Sequence, residues 1–189
     1  MNIFVLDPDA ATSARMMCNK HVVKMVLESC QLLSTAHHVL DGEPVMTKGK
    51  KKEYKTFSNG NTNICRCTMI NHPCTIWARE TRANYLWLWK HAHALCKEYT
   101  RRYGKVHAME KMLMDELYDP PSNITKGKLT PFVQAMPDQY KNENAVIAYR
   151  NYYINEKARF AKWRDKSIPE WYSKQDATYM CGVNDLIPF

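Results

Sequence analysis

Apolar residues recur along the early part of the chain at the spacing of an α-helix. Between residues 22 and 40 they fill nearly every position outside one row of polar residues. Members of this polar row are three or four residues apart and share one helix face: His21, Lys24, Glu28, Gln31, Thr35 and His38. The pattern predicts a long helix beginning after Asp7-Pro8-Asp9, with Asp9 or Ser13 as N-cap, and ending at Asp41-Gly42.

The polar row is the first candidate for chemistry. A helix that is apolar on its other faces is largely buried, so its polar face is expected to look onto water, a partner or a cleft. His21, Lys24 and Glu28 lie on successive turns and form a set that could transfer protons and hold a phosphate. An ordinary solvated helix face has the same pattern, so the pattern alone leaves both interpretations open.

Turn signals divide the rest of the chain. Residues 43–70 lack periodicity and are rich in lysine, which predicts a long basic loop that could carry a short hairpin around Asn59-Gly60. A second long helix is predicted from Asn71-His72-Pro73, with Asn71 as cap, to a C-terminal glycine at Gly104.

Two shorter helices are predicted over 107–118 and 142–163, followed by an irregular aromatic tail over 164–189. The expected fold class is therefore all-α: one compact helical domain over residues 1–189. It has three or four main helices, the 43–70 loop as an insertion, and the tail.

Charge and composition narrow the function. The net charge of +8 and the pI of about 9.1 favour a polyanionic partner, with nucleic acid as the default. No apolar run reaches the length needed to span a bilayer. The N-terminus lacks signal-peptide features, and seven cysteines without a framework of spaced pairs favour reduced thiols. We expect a cytoplasmic protein that does not bind membranes.

Four potential zinc ligands lie close together in the sequence: Cys65, Cys67, His72 and Cys74. A C-x-C pair chelates zinc less well than the C-x₂₋₄-C pairs of structural sites, and His72 could simply cap a helix. We therefore predict no metal and no cofactor.

Three stretches, in this order, resemble one family. They are His21-Val-Val-Lys-Met-Val-Leu-Glu28; His72-Pro-Cys-Thr-Ile-Trp77 with Asn84-Tyr-Leu-Trp87 and the basic turn ending at Gly104; and Pro169-Glu-Trp-Tyr-Ser-Lys174. The late pair Glu156-Lys157 also fits. The family is that of the phage pyrimidine-dimer DNA glycosylases of the endonuclease V type. The chain also resembles a group of phage and bacterial proteins without an assigned function.

The resemblance implies base-excision chemistry on DNA, expected to be double-stranded. In that family the N-terminal α-amine attacks C1′ of the sugar as the base leaves, and the resulting imine permits strand cleavage. Carried over, Glu28 would stabilise the cationic sugar and move protons, His21 would line the same face, and Trp171, Tyr172 and Lys174 would contact distorted DNA. The expected catalytic set is Glu28, His21, Lys24 and Met1. The expected DNA-binding set is Gln31, His72, Arg79, Asn84, Arg101, Arg102, Lys105, Trp171, Tyr172 and Lys174.

Two residues depart from the family pattern. Asn2 is too bulky for ready removal of the initiator methionine, so Met1 would carry the amine, or Lys24 would replace it if burial depressed its pKa. Leu27 stands where an arginine is expected before the glutamate. The leading hypothesis is a DNA glycosylase, with or without lyase activity, acting on a damaged or modified pyrimidine. The alternatives are a non-catalytic nucleic-acid-binding phage protein, and an enzyme acting on free nucleotides or on modified bases without excision.

Overall fold

The computed structural model describes residues 1–49, 53–164 and 167–172. The described helices are α1 (Ala10–Met16), α2 (Asn19–Asp41), α3 (Pro73–Glu80), α4 (Arg82–Tyr103), α5 (Glu110–Asp115) and α6 (Ala145–Lys157), with a 3₁₀ turn at Asp138–Tyr140. Two antiparallel strands, β1 (Glu43–Lys48) and β2 (Glu53–Ser58), form a small sheet in the part of the chain that the structure describes. The expected mainly helical, compact fold is confirmed, with more helices than predicted and with this added hairpin.

The predicted first helix is divided into α1 and α2. Asp9 caps α1 as expected, accepting the N–H of Thr12 at 2.8 Å. The alternative prediction, that Ser13 is the N-cap, is wrong, because the Ser13 hydroxyl lies inside the protein and accepts the N–H of Leu6 at 3.0 Å. The break follows Met17, whose carbonyl accepts a hydrogen bond from Arg102 at 2.9 Å instead of continuing the helix.

The predicted second helix is also divided, at Thr81. The Thr81 hydroxyl accepts the N–H of Asn84 at 3.2 Å and so caps α4. The Asn84 amide then donates to the carbonyl of Trp77 at 2.9 Å, near the end of α3. The cap of α3 is His72 rather than the predicted Asn71. Gly104 ends α4 with φ of 65°, which confirms the expected C-terminal glycine.

Strands β1 and β2 occupy the segment predicted as a loop. The predicted position of a hairpin around Asn59-Gly60 is wrong, because these residues follow β2. Gly42 allows the hairpin to start directly after α2. A Cβ at this position would lie 2.4 Å from the carbonyl oxygen of His38 and 2.6 Å from the Ser58 backbone. Any larger residue there would push β2 away from the helix.

Helices α2 and α4 form the centre of the fold and run in opposite directions. Tyr103, at the end of α4, donates to the carbonyl of Asn19 at the start of α2 at 3.3 Å. At the other end, His37 and Tyr85 are hydrogen-bonded at 2.9 Å. Helices α1 and α3 pack against this pair, and the N-terminal residues Ile3, Phe4, Val5 and Leu6 are buried in the same hydrophobic cluster.

The later helices are shorter than predicted. Helix α5 covers Glu110–Asp115, and α6 begins after Asn144, whose side chain accepts the N–H groups of Val146 and Ile147. Among the described residues, no helix combines the length and apolarity that crossing a membrane requires. Most of the predicted tail, including Lys174, lies outside the described residues, as do positions 50–52 of the basic segment.

Candidate active site

The N-terminal segment lies against α2 beside Glu28. The backbone N–H of Asn2 donates to Oε2 of Glu28 at 3.2 Å. The Asn2 side chain holds this arrangement, since its amide donates to the carbonyl of Ala135 at 2.7 Å. Its Oδ1 accepts the N–H groups of Ile3 at 2.8 Å and Phe4 at 3.3 Å. Asn2 is only 9% exposed, so a buried amide fixes the start of the chain beside the carboxylate.

Phe4 bends the N-terminal segment where it passes the start of α2. Its φ of 45° lies in the left-handed region, which is uncommon for a residue with a side chain. The Phe4 ring stacks on His21 with centroids 4.4 Å apart. The bend and the ring contact together tie the first residues to the start of α2.

Glu28 is mostly enclosed and carries one ion pair. Its side chain is 12% exposed, and Oε1 lies 3.1 Å from the ammonium of Lys24. The Lys24 side chain is 68% exposed. The burial on which a nucleophilic role for Lys24 depended is therefore missing, and this lysine lies at the mouth of the site as a solvated charge.

His21 lies beneath the site rather than in it. Tyr153 and Phe160 make edge contacts with its ring at 5.0 and 5.5 Å. Burial, together with the charges of Lys157 and Lys24, lowers the pKa of His21 to about 3. His21 is neutral at pH 7, which suits packing and not proton transfer at that pH.

Lys157 of α6 is a residue that sequence reasoning noted without giving it a role. Its ammonium donates to the hydroxyl of Tyr152 at 3.1 Å and lies 4.3 Å from the centroid of that ring. The same ammonium is 5.8 Å from the centroid of Phe4, close to the N-terminal segment. In the sequence, the pair Glu156-Lys157 was the feature that pointed to this residue. Only packing of α6 against the first residues brings this cation beside His21.

His72 and Cys74 complete the surroundings of the N-terminus. Nδ1 of His72 accepts the N–H of Cys74 at 3.1 Å, and the backbone N–H of Ile3 lies near enough to the Cys74 thiol to lower its pKa. Burial lowers the pKa of His72; the α-amine of Met1 lowers it further, and the carboxylate of Glu28 opposes both. Burial raises the pKa of the Cys74 thiol to about 12. We call Met1, Asn2, Glu28, His72 and Cys74 the N-terminal cluster.

The two halves of the polar row have different surroundings. Gln31 is half-buried, whereas Thr35 and His38 are buried under residues 59–68. Thr35 donates to the carbonyl of Thr68 at 3.2 Å, and Nε2 of His38 pairs with the carbonyl of Cys65 at 2.9 Å. The expectation that the whole row faces outward is therefore wrong, because the polar insertion itself covers the second half.

Two residues of the faces expected to be buried are exposed. Val23 and Leu27 are 41% and 40% exposed, directly before Lys24 and Glu28. Leu27 is the position at which the family pattern has an arginine. The outer border of the candidate site is thus partly apolar.

The residues of α3 and α4 that were expected to bind DNA lie in different places. Asn84 is buried and bonded within the protein, and Arg102 is buried with its Nε 2.6 Å from Glu98. Arg101 is at the surface but also pairs with Glu98, at 2.7 Å. Lys105 is exposed in the turn after α4, and Arg79 is half-buried with one guanidinium nitrogen that has no hydrogen-bond partner among the described residues.

The aromatic residues of the third motif lie over the junction of α1 and α2. The indole N–H of Trp171 points to the sulfur of Met16 at 3.4 Å, and its ring packs on Tyr153 with centroids 6.2 Å apart. The ring of Tyr172 lies 4.6 Å from that of Trp163. Tyr153 also contacts His21, so this aromatic group adjoins the buried side of the site.

The four potential zinc ligands are not brought together. Among the described residues, no group of three His, Cys, Asp or Glu side chains is arranged to hold an ion. Cys74 instead packs against Ile3, and the thiol of Cys65 lies 3.8 Å from the sulfur of Met112.

Comparison with known proteins identifies the family. The model of the family described as pyrimidine dimer DNA glycosylase matches residues 1–112, which include Asn2, Glu28 and His72. The chain belongs to this family, and the resemblance seen in the sequence is confirmed. No curated protein and no solved structure matches the chain.

Proposed function

We propose that this member of the pyrimidine dimer DNA glycosylase family excises a damaged or modified pyrimidine from double-stranded DNA and then cleaves the strand as a lyase. The observation that carries the proposal is the 3.2 Å hydrogen bond between the backbone nitrogen of Asn2 and the carboxylate of Glu28. It brings the start of the chain, where an α-amine is found, to a carboxylate that is only 12% exposed.

The α-amine is the proposed nucleophile. An α-amine is less basic than a lysine ammonium, so a larger fraction of it is neutral near pH 7 and able to attack. If Met1 is retained, its amine is one residue away from the Glu28 contact. If Met1 is removed, the nitrogen of Asn2 becomes the amine at the position that now donates to Glu28.

Glu28 is the proposed proton carrier. The amine lone pair forms a bond to C1′ while the electron pair of the glycosidic bond leaves with the base. The carboxylate of Glu28 takes the proton that the attached nitrogen loses. When the bond from C1′ to the ring oxygen O4′ breaks, Glu28 returns that proton to O4′ and an iminium remains at C1′. Glu28, again a carboxylate, then takes a proton from C2′. The electron pair left behind forms the C2′=C3′ double bond, and the 3′ phosphate leaves with the electron pair of its C3′–O bond.

The surroundings of Glu28 suit a DNA strand. Lys24 and Lys157 place two cations beside the N-terminal segment, and the whole chain carries a net charge of +8. The exposed side chains of Val23 and Leu27 border the same helix face and offer an apolar surface to unstacked bases. Lysines would bind phosphates, and these apolar residues would contact the distorted base step.

The test is trapping of the imine. Purified protein is incubated with a duplex that carries one abasic site, and with duplexes that carry one pyrimidine dimer or one oxidised pyrimidine, in the presence of borohydride. We expect a covalent protein–DNA adduct with the abasic duplex and with at least one lesion. Salt-sensitive binding without an adduct, a strand break or release of a base from any duplex would reject the enzyme and favour a binding protein.

A further inference from the structure

The ring of His72 is held in one protonation form by its own helix. Its Nδ1 accepts the N–H of Cys74 at 3.1 Å, which caps α3. Because Nδ1 uses its lone pair in this bond, the proton of the neutral ring lies on Nε2. Among the described residues Nε2 has no hydrogen-bond partner, so His72 presents one unused N–H donor.

The His72 ring lies close to the proposed reaction centre. The backbone N–H of Ile3 lies near the thiol of Cys74, two residues after His72, while the adjacent Asn2 donates to Glu28. The charges of the α-amine and of Glu28 both act on the His72 ring, which agrees with this placement. The ring is partly exposed, so a ligand in the cluster can reach it.

The chemistry of base departure needs such a group. When the bond between C1′ and N1 of a pyrimidine breaks, its electron pair goes to N1 and is delocalised onto the carbonyl oxygen O2. Glu28 cannot also stabilise this charge, since its carboxylate is negative, pairs with Lys24 and serves the attacking amine. A neutral N–H donor on another side of the sugar can do so without adding a proton-transfer step.

We propose that His72 is a further catalytic residue, whose Nε2–H donates a hydrogen bond to O2 of the departing pyrimidine. This assignment rests on the proposed glycosylase function and adds to it the residue that receives the leaving base. A hydrogen bond from His72 to a DNA phosphate is the competing assignment, and it has different consequences for an abasic substrate, which has phosphates but no base.

The experiment compares His72→Asp with His72→Asn. Both replacements are good N-caps, so α3 keeps its first turn, and thermal unfolding checks this in each variant. Asp has no N–H to donate, whereas Asn keeps a donor of shorter reach. Single-turnover release of the base is measured on whichever lesion the wild-type protein excises. Trapping by borohydride is measured on the abasic duplex.

We expect His72→Asp to slow base release by about 100-fold, which is the usual effect of removing one donor to a developing oxyanion. His72→Asn should reduce the rate of base release by a smaller factor. Trapping on the abasic duplex should stay within about threefold of the wild-type rate, because no base departs from it. A lesion base carrying an electron-withdrawing 5-fluoro group stabilises its own anion, so the defect of His72→Asp should shrink on that substrate.

Three results would overturn the assignment. The first is an equal loss of rate on lesion and abasic duplexes together with weaker DNA binding, which indicates a phosphate contact. The second is unchanged base release in both variants, and the third is a wild-type protein that forms the trapped adduct on the abasic duplex but releases a base from no lesion. Each leaves the amine chemistry of the proposed function standing. Absence of any wild-type adduct would instead reject the proposed function itself.

Discussion

The guanidinium of Arg102 donates to the carbonyl of Met17 at 2.9 Å, although 85 positions separate the two residues in the chain. The same side chain reaches the carbonyl of Arg15 at 3.1 Å and the carboxylate of Glu98 at 2.6 Å. A cation that the sequence assigned to DNA binding thus satisfies the carbonyl groups left open where α1 ends.

Replacing Arg102 should lower the unfolding free energy of the protein. Arg102→Met leaves the buried carbonyls at the α1 junction without donors and removes a partner of Glu98, so we expect a loss of about 3–5 kcal/mol in unfolding free energy. Urea denaturation measures it. Lys105→Ala, in the exposed turn after α4, is the control and should change stability by less than about 0.5 kcal/mol.

The same two variants distinguish an effect on folding from an effect on DNA binding. Lys105→Ala should reduce the slope of log affinity against log salt by about one if this lysine contacts a phosphate. Equal stability of the Arg102→Met and Lys105→Ala proteins would contradict the structural role of Arg102.

Glu28→Gln should abolish formation of the borohydride-trapped adduct while binding to the same duplex stays within a few-fold. The amide keeps the size of the side chain and can still accept from the N–H of Asn2, but it cannot take a proton from the attached amine. Gel-shift binding and adduct yield are measured on one abasic duplex. The matched control is Glu53→Gln on exposed β2, which should leave both quantities unchanged. Loss of folding in Glu28→Gln would show that the carboxylate is structural.

Blocking the N-terminus should have the same effect on chemistry as loss of Glu28. An extension of Gly-Ser before Met1 moves the free α-amine away from the cluster, so we expect no adduct and retained DNA binding. In the unextended protein, digestion and mass spectrometry of the trapped product should locate the sugar on the peptide that begins the mature chain. Lys24→Gln should still form the adduct. A sugar found on Lys24 would contradict the assignment of the nucleophile.

Asn2→Leu should weaken both the fold and the reaction, and it keeps a residue too bulky for ready removal of Met1. The replacement removes the donor to Ala135 and the acceptor for the N–H groups of Ile3 and Phe4, so the buried groups lose their partners. We expect a loss of about 1–3 kcal/mol in unfolding free energy and a lower rate of adduct formation even where the protein is fully folded. Asn151→Leu, exposed on α6, serves as the control.

Acid should destabilise the protein through its buried histidines. His91 is fully buried, stacks on Trp87 at 5.2 Å, and has no hydrogen-bond partner for either nitrogen among the described residues. Burial lowers its pKa from 6.5 to about 3. Between these two values the unfolded chain binds a proton that the folded protein does not, so unfolding free energy falls as the pH is lowered from about 6.5 toward 3.

His91→Phe should reduce this dependence by about 1.4 kcal/mol for each pH unit in that interval, leaving the similar contribution of His21. Urea denaturation at several pH values measures the slope for both proteins. An identical slope in the variant would contradict a neutral, buried His91.

Several features followed from local sequence alone. Asp9 as a cap, Gly104 as the residue that ends a helix, and the apolar periodicity of α2 are effects of neighbours within a few positions, where propensity and spacing decide the outcome. The order of three motifs was also enough to indicate the family, which the match over residues 1–112 confirms.

Tertiary contacts decided the rest. The break after Met17 depends on Arg102, and the break at Thr81 on the carbonyl groups of Thr125 and Lys128. The burial of His38 depends on residues 59–68, which lie over α2. The apolar periodicity places Glu28 on a helix face but does not place it beside the nitrogen of Asn2, because 26 positions separate the two residues. The periodicity of one helix specifies which of its faces is polar. Which group meets that face is fixed by long-range packing, which local periodicity does not encode.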